Sequence, residues 1–188
     1  MFLTQKQKDT LIANNEESKK IVRSCLQESL IILLKSQSYE TLTVTCIVKK
    51  AGVSRSAFYK NYTSKQDLFI QTIKNQVEKF VGKLNGDAYH DLNVIFSQIS
   101  EHKDFVKSVF DNHLSSIVLD VLNQKVATKK YDYCDIIWTG ILFNTINIWI
   151  NQIPEKNVQE ITNELYQALF MFSNQFQDKI RISNKMNS

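Results

Sequence analysis

The chain has 188 residues, 43% of them hydrophobic and 22% charged, but only four Gly and one Pro. Average usage would supply about 22 Gly and Pro residues at this length. Hairpins and sandwiches need such turn formers at short intervals, so an all-β fold is excluded, as are collagen-like, disulfide-scaffold and wholly disordered classes. The formal net charge of +4 is split unevenly: residues 1–85 hold 14 Lys/Arg against 7 Asp/Glu, and residues 86–188 hold 9 against 12. A basic first half is what a polyanion-binding segment requires, although ordinary solvated helix faces would give the same count.

The sequence predicts about nine helices. Residues 1–15 are polar and aperiodic, and read as a frayed arm. Ile21, Val22, Cys25, Leu26, Leu30, Leu33 and Leu34 then recur at three- and four-residue spacing, which predicts a helix over 16–36 with one buried face. Thr43 is placed to N-cap a short second helix with Val44, Ile47 and Val48 inward, closed at Ala51-Gly52 by a residue of positive φ. Ser54 caps a third short helix from Arg55 to about Asn61. Ser64-Lys65-Gln66-Asp67 has the form of a capping box. It opens a longer helix of about 20 residues that ends near Asn85-Gly86.

Beyond Gly86, helices are expected near 88–101, 103–111, 113–127, 131–152 and 156–180, with Pro154 separating the last two. Residues after about 182 read as a disordered tail. No charge falls between Asp135 and Glu155, but the amides and hydroxyls of that stretch favour a buried helix over a lipid span. The N-terminus has no apolar run of signal-peptide length. Cys25, Cys46 and Cys134 are odd in number and flanked by apolar residues. They read as small buried hydrophobes, and the expected location is cytoplasmic.

Two short helices joined by Ala51-Gly52-Val53-Ser54 have the anatomy of a helix-turn-helix, in which the second short helix enters the major groove and the first braces it. On that reading Phe58 and Tyr62, four residues apart, point inward as core. Arg55, Ser56, Tyr59 and Lys60 fall on the outer face. Arg55 suits a guanine edge, and Ser56 and Ala57 suit a base edge or a thymine methyl. Tyr59 and Lys60 suit phosphates, and Asn61 could reach base or backbone. Thr43 and Lys65, in first turns of their helices, offer further phosphate contacts. Each of these is otherwise a solvated surface residue.

The run from Thr43 to Phe69 resembles the DNA-binding domain of the tetracycline-repressor (TetR) family, whose pattern is T-v-x-x-I-a-x-x-A-G-V-S-x-x-x-F-Y-x-x-F-x-s-K-x-x-L. The departures are Val48, where the family usually has a small residue, and Tyr62 in place of the commoner Phe. The resemblance implies DNA contacts at Thr43, Thr45, Tyr59 and Lys65. It also implies an all-α fold with an N-terminal three-helix DNA-binding domain (16–63) and a connecting helix (64–86). A helical domain for effector binding and dimerisation (87–182) follows.

Such a protein would be a bacterial, ligand-responsive homodimeric regulator, a repressor released from a near-palindromic DNA operator by a small effector. The apolar residues of 131–152 run nearly all round their helix, and such a helix needs partners on every side. Ile141, Ile148, Trp149, Leu165, Leu169, Phe172 and Phe176 are the expected dimer contacts. Phe96, Ile99, Phe105, Phe110, Ile117, Trp138 and Phe143 are expected to line an effector cavity, although aromatics at helical spacing also serve as plain core.

His90, His102 and His113 lack ligand spacing, so no metal or other cofactor is expected. No nucleophile–base arrangement or phosphate loop is present, so an enzyme is not expected. The competing reading is a helical interaction module whose basic half binds an acidic partner.

Overall fold

A computed structural model of the protein describes the backbone of residues 5–126 and 133–186. Side chains are described within 15–124, Phe80 apart, and within 136–173. The described residues form nine helices and no strand: α1 (Gln5–Leu34), α2 (Val44–Ala51), α3 (Arg55–Asn61), α4 (Lys65–Val81), α5 (Ala88–Glu101), α6 (Lys103–Asp111), α7 (Ser115–Val126), α8 (Tyr133–Asn151) and α9 (Val158–Met186). The chain is therefore all-α, as its composition requires. None of the described helices is long and apolar enough to cross a membrane.

Three helix ends differ from the periodicity-based reading. α1 starts at Gln5, within the stretch expected to fray, because nothing in residues 5–15 breaks a helix even though little of it has an apolar face. α4 ends at Val81, and residues 82–86 form a turn in which Gly86 takes φ +90°. The Asn85 and Gly86 amides donate to the Asp91 carboxylate at 2.9 and 3.1 Å, and Asp87 caps α5 by accepting from the His90 amide at 2.7 Å. These local polar bonds offer the backbone an alternative to further helix. At the other end α9 continues to Met186, into the expected tail, with neither Gly nor Pro to stop it.

Two apolar cores hold the helices together. In the first, Leu26 and Leu30 of α1, Ile47 of α2, Phe58 of α3 and Leu68 and Phe69 of α4 are fully buried. The same cluster continues into Phe105 and Val109 of α6, Leu114, and Val121 of α7. In the second, Leu92 and Phe96 of α5 pack against Trp149 of α8 and Ile161 of α9. The Phe96 and Trp149 rings meet edge-on at 5.4 Å, a geometry that suits their quadrupoles. The helices α1 to α4 thus share one continuous core with α6 and α7, while α5, α8 and α9 pack around the other.

The cysteines correct one expectation. Cys46 is exposed, because burying Ile47 and Val48 turns position 46 outward on an eight-residue helix. Cys25 is half-buried. The side chain of Cys134 lies outside those described.

Candidate nucleic-acid interface and effector cavity

The turn between α2 and α3 is built from backbone requirements. Gly52 adopts φ +66°, ψ 26°, the left-handed region where a Cβ is penalised. The Val53 amide then donates back to the Val48 carbonyl at 3.1 Å, closing α2. Ser54 takes extended backbone, and its Oγ accepts from the Ala57 amide at 3.0 Å, satisfying one orphan donor of α3. At α2 the Thr43 Oγ1 does the same for the Cys46 amide at 3.2 Å, and its hydroxyl donates to Cys46 Sγ. That hydroxyl bond is the main cause holding the thiol below its usual range.

Phe58 is fully buried and Tyr62 nearly so, with ring centroids 5.9 Å apart. Burial pushes the Tyr62 phenol up, and Gln27 of α1 donates to its oxygen at 3.0 Å. These two anchors fix the rotation of α3, and the opposite face follows. Arg55, Ser56, Tyr59 and Lys60 are exposed, and Ala57 is half-buried. The Arg55 guanidinium lies 5.9 Å from the centroid of the Tyr59 ring, which is itself steadied edge-on by Phe58. Thr43 and Thr45 are exposed, and so are Lys49 and Lys50 at the end of α2. The two lysines were not singled out from sequence, although the charge run at the turn was a usable signal.

Two expected contacts have other partners within the chain. Asn61 donates from Nδ2 to the Ala57 carbonyl at 2.8 Å, and its Oδ1 accepts from Arg23 Nε at 3.2 Å. Lys65 points inward, where its ammonium donates to the Tyr39 and Leu42 carbonyls at 2.5 and 2.7 Å and sits 4.2 Å from the centroid of the Tyr39 ring. Burial lowers its pKa. The Asp67 of the capping motif also departs from the usual form. It receives the Thr63 amide at 2.8 Å, while its own amide donates to Ser64 Oγ.

The loop that Lys65 clamps is tied to the rest of the molecule by a bond that sequence reasoning missed. The Tyr39 amide donates to Asn112 Oδ1 at 2.6 Å, and Asn112 Nδ2 donates to the Ser108 carbonyl of α6 at 2.7 Å. Tyr39 also packs its ring on Phe69 of α4 at 5.6 Å. It therefore joins the end of α6, the start of α4 and the approach to α2.

A cavity of about 170 Å³ lies among α4, α5, α6, α7 and α8. Ile99, Phe105, Phe110 and Phe143 of the expected set line it. Phe96, Ile117 and Trp138 do not, which corrects that part of the expectation. Phe96 and Trp138 belong to the second core, and Ile117 packs against the first. Among the described residues no group of three His, Cys, Asp or Glu side chains is placed to hold a metal ion.

Residues 31–72, from the last turn of α1 into α4, match the family model of bacterial regulatory proteins of the tetR family. The chain thus carries the N-terminal domain of the tetR family of bacterial regulatory proteins. No curated protein matches it in sequence.

Solved structures match it over most of their length. A TetR transcriptional regulator from Streptococcus agalactiae 2603V has 17% identity and a TM-score of 0.56, over 81% of this chain and 96% of that one. Lin0861 from Listeria innocua has 13% identity and a TM-score of 0.59, over 79% and 91%. The dihydroxyacetone kinase operon activator DhaS has 15% identity and a TM-score of 0.57, over 80% and 94%. At such identities the likeness is one of fold. It extends well beyond the 31–72 domain, so both halves of the chain have the TetR-like arrangement.

The C-terminal helices leave several large apolar side chains exposed. Ile137 is 58% exposed, Phe170 62%, Met171 61% and Phe172 60%, and Ile136, Ile148 and Tyr166 are also exposed. Ile137, Ile141 and Ile148 fall within about 40° of one another round α8 at 3.6 residues per turn, so they form one stripe.

On α9 the expected seam is partly corrected. Leu165 and Leu169 follow Ile161 inward onto the second core, and Tyr166 and Phe170, one position on, face out. Trp149 is 1% exposed within its own chain, and its Nε1 donates to the Lys156 carbonyl at 2.8 Å, so it is core and not a contact for a partner. Ile148 and Phe172 stay exposed and Ile141 is half-buried, while the Phe176 side chain lies outside those described.

Proposed function

We propose that this DNA-binding transcriptional regulator is a homodimeric repressor. It reads a short near-palindromic operator with α3 and is released by a small effector held in the cavity. The observation that carries the reading is the outer face of α3. Phe58 and Tyr62 lock the helix from behind, Gly52 and Ser54 set its entry, and Arg55, Ser56, Tyr59 and Lys60 are left to solvent. Arg55 supplies a bidentate donor for a guanine edge and Ser56 and Ala57 contact bases, while Thr43, Thr45, Tyr59 and Lys60 bind phosphate. Asn61 and Lys65 act mainly by holding α3 and its approach loop, with any phosphate contact by Lys65 secondary.

The dimer reading rests on the large apolar side chains that α8 and α9 leave exposed, among them Ile137, Ile148, Phe170 and Phe172, which a second copy would bury. A two-fold pair of recognition helices matches two half-sites separated by about one helical turn or a multiple of it. Effector response rests on the cavity touching α6, which is bonded to the approach loop through Asn112. Selection of bound DNA from a random pool tests the reading. An inverted repeat is expected. Recovery of unrelated sequences, or retention of an acidic protein in place of DNA, would contradict it.

A further inference from the structure

The cavity described above also restricts what can fill it. Only Gln76, Gln98 and His102 among its sixteen lining residues carry polar side chains, and no Lys, Arg, Asp or Glu is among them. The wall is otherwise aliphatic and aromatic, with Phe105, Val109 and Ile95 almost fully buried at its inner side. An apolar cavity of about 150 Å³ stays dry and accepts benzene, so a space of about 170 Å³ takes a body of similar size.

The three polar residues come from neighbouring segments: Gln76 on α4, and Gln98 and His102 one turn apart at the end of α5. His102 is exposed, and Gln76 and Gln98 are half-buried. Gln98 Nε2 donates to the Glu101 carboxylate at 2.9 Å, which leaves its amide oxygen as an acceptor. Gln76 Oε1 accepts from Lys79 Nζ at 3.4 Å, which leaves its N–H groups as donors. A donor on Gln76 and an acceptor on Gln98, in an otherwise apolar wall, suit a hydroxyl or carbonyl group. Lys79 and Glu101, the partners of Gln76 and Gln98, are exposed and neither lines the cavity. A carboxylate or phosphate drawn inward would lose its water without gaining a charged partner.

From the lining and its size we infer that the cavity binds a small uncharged molecule. It has a mostly apolar body of about six to eight non-hydrogen atoms and one hydroxyl or carbonyl group paired with Gln76 or Gln98. Anionic lipids, nucleotides and acyl thioesters of large carriers are excluded from the interior. This inference rests on the reading of the cavity as the effector site.

Calorimetric titration of the full chain at pH 8 with phenol, 1-hexanol and hexanoate tests it. Phenol and 1-hexanol are expected to bind with a negative heat-capacity change, and hexanoate at least about tenfold more weakly than 1-hexanol. Hexanoate binding as tightly as the alcohol, or no heat from either neutral probe, would overturn the inference. Ile99→Trp should abolish binding by filling the space, and if that variant fails to fold, Val118→Phe fills it from α7. Gln98→Met should weaken 1-hexanol several-fold and leave toluene unchanged, and equal loss for both would remove the polar pairing.

A parallel anisotropy titration on the selected operator separates the two claims. Alcohol binding without any change in DNA affinity would sink effector release and leave the ligand class standing. Release of DNA by hexanoate alone would sink the ligand class and leave the response standing.

Discussion

Single residues set the recognition helix at definite angles, and their removal should be measurable one by one. At Gly52 an added Cβ meets nothing within 4 Å, so substitution is penalised by backbone conformation alone. Gly52→Ala should destabilise the fold by about 1–2 kcal/mol and Gly52→Asn by less, as read by urea unfolding. Arg55→Ala should weaken binding to the selected operator by about 1–3 kcal/mol and relax preference at one base position. Lys60→Ala should weaken specific and random DNA alike and reduce the salt slope by about one. Equal losses on specific and random DNA for Arg55→Ala would take it off the base-reading face.

The turn, its caps and its two aromatic anchors were legible in sequence because they are local: Gly52, Ser54, Phe58 and Tyr62 lie within eleven positions. The partners of Lys65 and Asn61 were not, because Leu42 and Arg23 lie 23 and 38 residues away. No spacing rule reports such contacts.

Among the elements, α6 carries the link between cavity and DNA-binding domain. Phe105, Val106 and Phe110 face the cavity, and Asn112 at its end holds the Tyr39 amide, 73 residues away in sequence. An exposed ion pair between Lys35 and Asp104, at 3.7 Å, adds little to this connection. Asn112→Ala leaves a half-buried amide without its acceptor and should cost about 1–3 kcal/mol in stability. It should also reduce the effect of any cavity ligand on operator affinity, measured as the ratio of DNA dissociation constants with and without ligand. An unchanged ratio would place the coupling elsewhere.

Helix count and order were legible from the 3.6-residue period, whereas the ends of α1, α4 and α9 were not. Those ends depend on local side-chain bonds such as Asp91 to the 85–86 turn, or simply on the lack of a breaker.

At the scale of the molecule, the exposed stripe of α8 and the exposed aromatics of α9 are what the single chain leaves unburied. Sequence showed that α8 was apolar on all sides, but it could not show which side met the chain's own second core. The structure gives Trp149 to that core, with Leu142 and Ile146 packed against it, and leaves Ile137 and Ile148 exposed. Ile137→Glu combined with Phe170→Glu should therefore yield a folded monomer by light scattering at micromolar concentration, while the parent chain has twice that mass. A monomeric parent would remove the dimer and, with it, the reason for a palindromic site.

The most direct test of the whole account is a stoichiometric titration of the selected operator, followed by fluorescence anisotropy in excess random DNA. The account predicts saturation at two chains per inverted repeat, survival against the competitor, and loss of tight binding when either half-site is scrambled. Equal affinity for the repeat and for random duplex, or saturation unaffected by scrambling a half-site, would contradict it.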